Sequence, residues 1–124
     1  MTVKSLAFGL IVAAFSIHSA MAEDIRPVKP LAGYKCMKLI QSDAEAFASR
    51  SPVSIMSEPV NGQPLVGAPS VLLVRTPEQR MNGYLAVKTN TGTDGWIAAD
   101  RVAPYDPNAR CVPSLMSNGH YGGG

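Results

Sequence analysis

The sequence predicts an all-β fold, a small five-stranded antiparallel barrel, and three observations predict it. Short apolar or alternating segments recur between residues 53 and 105. Glycine, proline and asparagine clusters separate them at the spacing of tight turns. The two cysteines, Cys36 and Cys111, stand on either side of these segments, where one bond would close a chain of small-domain length.

Residues 1–22 read as an address. Lys4 supplies a positive start, residues 6–17 are mostly apolar, and Ala20-Met21-Ala22 has the small-x-small form of a secretory cleavage site. The apolar run is shorter than the about 20 residues that a membrane-spanning helix needs. The expected mature chain starts at Glu23, carries no membrane anchor after cleavage, and is periplasmic or secreted. LAGYKC bears a faint likeness to a lipid-attachment site, but its cysteine sits two residues too late, so no lipidation is expected. Removing 22 residues from 124 leaves 102, enough for one domain.

Residues 23–50 are expected to form an N-terminal arm. Residues 23–35 carry two prolines and no clear period, while 37–49 suit a short helix with Leu39, Ile40, Ala44 and Phe47 on one side. Ser42 or Asp43 would cap a shorter version. The barrel is expected over 51–105. Its strands are residues 53–57 (VSIMS), 71–76 (VLLVRT), 84–89 (YLAVKT), 96–99 (WIAA) and 102–105 (VAPY). EPVNGQP, PEQRMNG and NTGTDG connect the early strands, and ADR forms one helical turn before the last. Residues 106–124 are the tail, expected to be disordered after Cys111 because it ends in SNGHYGGG.

An oxidising compartment favours a Cys36–Cys111 disulfide. Closing a loop of about 75 residues is worth roughly 4 to 4.5 kcal/mol in the chain-entropy model. Two cysteines with no neighbouring histidine cannot build a structural zinc site, so no metal is expected. Without Lys4, ten basic residues face nine acidic ones, and no basic stripe or charge run appears. Nucleic acid and anionic membrane surfaces are therefore poor partners.

The segment from Pro52 to Tyr105 resembles a bacterial SH3-like domain. Val53-Ser54-Ile55-Met56-Ser57-Glu58-Pro59 has the shape of that family's opening Leu-Asn-Val-Arg-x-x-Pro strand. Gly83-Tyr84-Leu85-Ala86-Val87 matches its central Gly-aromatic-x-x-Val. Residues 92–102 match its closing Gly-x-x-Gly-Trp-[Ile/Val], followed by a short turn and an apolar residue. In such a barrel successive side chains take opposite faces. Ile97 then joins Val53, Ile55, Leu73, Leu85 and Val87 in the core, and the sole tryptophan, Trp96, faces away. Trp96 is expected first as a packing residue covered by the arm, and second as a ligand platform. Signalling domains of this fold grip proline-rich helices between several aromatics and a proline. This chain has Ala98 where that proline would stand, Arg101 in place of a groove tyrosine, and Met56 rather than tyrosine in the opening strand. That binding mode is not expected.

Catalytic residues are not expected either. His120 is the one histidine after the expected signal and lies in a glycine-rich tail, and a disulfide would leave no thiol nucleophile. Asp94, Asp100 and Asp106 lie six apart at turns, which suits capping and not the alternating ligands of a calcium loop. No phosphate-loop pattern is present, and no cofactor is expected. The resemblance implies an exported, non-catalytic binding module for peptidoglycan, meaning cell-wall glycan or peptide, or for a cell-envelope protein. The alternative is an accessory subunit that docks on an exported partner. Its ligand candidates are the large side chains outside the core, Trp96, Tyr84, Tyr105 and Met56, with Arg101 offering a charge to a peptide carboxylate.

Overall fold

Alternation along residues 84–88 puts Leu85 and Val87 on one side of a strand and Tyr84 and Lys88 on the other, and this division organises the main sheet. The computed structural model describes residues 24–124, so the expected export signal lies outside the described residues. The strands are β1 (Pro27–Pro30), β2 (Tyr34–Leu39), β3 (Ser54–Met56), β4 (Pro64–Gly67), β5 (Val71–Arg75), β6 (Arg80–Met81), β7 (Tyr84–Lys88), β8 (Asp94–Ala98), β9 (Val102–Pro104), β10 (Pro113–Met116) and β11 (Tyr121–Gly123). One turn of helix, α1 (Asp43–Ala46), follows β2, and a 3-10 turn, Ala99–Arg101, joins β8 to β9.

Two antiparallel sheets result. The larger runs β4-β3-β8-β7-β5-β2-β9, with β6 hydrogen-bonded to β7, and the smaller runs β1-β10-β11. The path of the larger sheet ends at β4 and β9, which do not pair with each other. It therefore has eight strands where five were expected. The three additions are β2, from the segment expected as an arm, and β4 and β6, from stretches within 51–105 that were not expected as strands. β2 enters between β5 and β9, with Met37 and Leu39 directed into the core.

The expected helix over 37–49 shrinks to Asp43–Ala46 for a physical reason. Leu39 is already committed to the core as the end of a strand, while Phe47 remains 89% exposed and no residue of α1 is buried. A single turn with no buried face stands on its cap, and here Ser42 and Glu45 form a reciprocal capping box.

The core gathers Leu39, Ile55, Ala68, Leu72, Val74, Leu85, Val87 and Ile97, with Val53 and Val102 packed at its margin. Leu73 corrects the expected list. In the register of β5 it faces away from this cluster, yet it is buried all the same. The smaller sheet covers that outer face. β11 lies against β5, and Gly123 comes so close to Val71 and both cysteine sulfurs that a Cβ would overlap Cys111 Sγ.

This packing also corrects the expectation of a disordered tail. β10 and β11 form a hairpin whose ends, Val112 and Gly124, exchange two backbone hydrogen bonds of 2.9 Å. Tyr121 N–H donates to the Asn90 carbonyl at 2.7 Å, fixing the hairpin to the β7–β8 turn. Glycines that read as disorder serve here as points of close approach. A disulfide, Cys36–Cys111, joins β2 to the segment just before β10, with the Cα atoms 6.1 Å apart. Among the described residues, no helix is long and apolar enough to cross a membrane.

Candidate functional site

β8 presents two faces. Gly95 and Ile97 turn into the core, and Trp96 turns the other way with Asp94 and Ala98. Gly95 is required because β3 crosses close by: a Cβ there would overlap Ile55 Cγ2 and lie 3.2 Å from the Met56 carbonyl oxygen. That close crossing sets Met56 directly opposite Trp96 on one side, while Ala86 is opposite it on the other. Tyr84 pairs with Ala98, so it is the diagonal neighbour of Trp96 and within reach of it. Met56, Tyr84 and Trp96 thus share one face of the sheet, each half-buried. A shallow groove of about 460 Å³ borders Tyr84, running between Gly83, Ala98 and Asp100.

The segment expected as an arm is taken up into the two sheets. β1 pairs with β10, and β7 and β5 stand between β8 and β2 in the sheet. The partners of Trp96 across its own sheet are Met56 of β3 and Ala86 of β7.

Two of the expected site residues are not on this face. Arg101 Nη1 donates to the Ile40 carbonyl at 3.0 Å and lies 3.7 Å from Glu45 Oε1, so its guanidinium is engaged in holding α1 to the 3-10 turn. The hydrogen bond from Ser42 N–H, with the Arg101 charge behind it, keeps the Glu45 carboxyl below its ordinary pKa. Tyr105 follows β9 and lines a separate, larger cleft of about 660 Å³.

That larger cleft was not legible beyond Tyr105. Its walls combine Tyr34, the Cys36–Cys111 disulfide, and Pro104, Pro107 and Pro113. At its edge Lys35 Nζ binds Glu78 Oε1 at 2.9 Å, and Arg80 approaches the other Glu78 oxygen at 3.5 Å. The Lys35 hydrogen bond and charge lower the Glu78 pKa. Lys88 Nζ sits 5.3 Å from the centre of the Tyr34 ring, a cation–π contact, and 3.4 Å from Asp94 Oδ1. The one local signal for this cleft was a tyrosine placed two residues before Cys36.

His120 lies exposed in the β10–β11 turn, its backbone N–H bonded to Asn118 Oδ1 at 3.0 Å. Among the described residues no group of three histidine, cysteine, aspartate or glutamate side chains is placed to hold a metal ion. Comparison with family models, curated proteins and solved structures gave no match.

Proposed function

We propose that this chain is an exported, non-catalytic binding module of the bacterial cell envelope, built on an SH3-like barrel, and that it holds cell-wall glycan or peptide on its Trp96 face. The observation that carries the reading is the gathering of Trp96, Tyr84 and Met56 on the sheet face opposite the core, each half-buried and half-presented. A rigid aromatic offers broad contact area at low entropy cost, which suits stacking against a sugar ring, and a methionine beside it adapts to irregular shapes. The antiparallel succession β5, β7, β8, a 3-10 turn and the short β9 supports the barrel part of the proposal. The disulfide supports the extracytoplasmic part, since such bonds persist in oxidising compartments.

One observation favours a second reading, docking on an exported protein. β4 ends the larger sheet with all four residues exposed, including Leu65 and Val66, and an open edge can accept a strand. Retention on purified cell-wall sacculi separates the two. Wild-type protein is expected to be retained, and Trp96→Ala and Tyr84→Ala proteins that remain folded are expected to appear in the flow-through. Wild-type protein that flows through would remove the cell-wall reading and leave docking through β4.

A further inference from the structure

We propose a second binding site, independent of the Trp96 face, in the cleft beside the disulfide: an extended peptide segment with a basic side chain adds there as a strand along β2. The basis is a ladder that stops early. β9 pairs with β2 only from Leu39 to Met37, whereas β2 continues to Tyr34. Residues 34–36 therefore have β5 on one side and no strand on the other. The direction of the backbone groups follows from their neighbours. Leu39 N–H donates to Ser70 and the Gly33 carbonyl accepts from Thr76, so odd-numbered residues of β2 face β5. Ile40 N–H donates to Arg101, so even-numbered residues face the β9 side. The pairing of Met37 with Pro104, which has no N–H, uses the Cys36 carbonyl as acceptor for Tyr105 N–H. The groups turned toward the side that β9 leaves open are therefore the Cys36 N–H and the Tyr34 N–H and carbonyl, and both residues line the cleft.

The dimensions and charge of the cleft select the occupant. The open edge from Tyr34 to the Cys36 N–H spans about 7 Å, and the cleft beside it measures about 660 Å³, within the usual range for a bound ligand. Tyr105 offers aromatic surface, and Tyr34 offers the part of its ring that the Lys88 ammonium leaves open. Lys35 is already satisfied by Glu78, while Asp106 makes no ion pair with any described residue. Its Oδ1 accepts from Asn108 N–H at 2.9 Å, which holds the carboxylate in a fixed turn at the cleft wall. Aromatic rings together with a carboxylate recognise a cation, so the peptide residue that enters carries a lysine or arginine side chain.

Amide NMR on the oxidised protein tests this with the capped peptide Thr-Val-Lys-Val-Thr. The expected result is saturable shifts centred on Tyr34, Cys36 and Asp106. A peptide N-methylated at alternate backbone nitrogens should lose binding, and one with glutamate for lysine should bind more weakly. Asp106→Asn keeps an acceptor for the turn and removes the charge, so it should weaken binding of the lysine peptide about threefold. The proposal is overturned if the lysine peptide produces no shifts, if N-methylation leaves binding intact, or if the shifts centre on Trp96 and Tyr84. The N-methylated peptide is tested on wild-type protein, so the outcome does not depend on any variant folding.

Discussion

Gly95 stands where β3 crosses β8, and its missing side chain lets Ile55 seat in the core while Met56 reaches the position opposite Trp96. An added methyl group meets Ile55 Cγ2 and the Met56 carbonyl, and backbone cannot yield as a flexible side chain can. Gly95→Ala should therefore cost about 1–3 kcal/mol, the usual range for overpacking. Urea unfolding checks it, and an unchanged midpoint would mean that β3 does not press on β8. Local chemistry at this scale was readable in advance. The Ser42 cap could be anticipated because Ser42 and Glu45 are three residues apart and serve each other. Arg101 could not be placed, because the carbonyl it binds belongs to Ile40, 61 residues away.

Elements divide in the same way. β3, β5, β7 and β8 were legible from their apolar content and flanking turns, but which face of β5 points inward was not. VLLVR is apolar at four successive positions, so its period cannot show that Leu72 and Val74 enter the core while Leu73 lies beneath the smaller sheet. The β10–β11 hairpin was hidden for a related reason. Its glycines lower strand propensity and carry no side-chain pattern, yet Gly123 is what allows β11 to lie on the disulfide and Val71. The cysteine pairing needed no geometry, since the chain has only two. Replacing both cysteines with serine should remove roughly 4 kcal/mol of loop-closure stabilisation. Amide exchange should quicken most in β1, β10 and β11, which hang on that bond, and least in β7 and β8 at the centre of the larger sheet. Equal protection in the hairpin with and without the bond would show that packing alone holds it.

At the scale of the whole molecule, one sheet is used on both faces. Its inner face closes over the core around Ile97 and Leu85. Its outer face is divided between a region covered by the smaller sheet at β5 and a half-open region around Trp96. The disulfide and the hairpin account for the first region. Trp96 is left partly exposed there beside Met56 and Tyr84, which is why we propose binding at that face. Trp96 is the only tryptophan, so its fluorescence reports on this face and on nothing else in the chain. The most direct measurement titrates soluble cell-wall fragments into the oxidised protein while Trp96 emission is followed. A ligand held on the Trp96 face should give a saturable change in emission, abolished in a folded Tyr84→Ala protein that leaves the indole in place. Retention of the protein on sacculi with no change in Trp96 emission across the titration would contradict binding at that face.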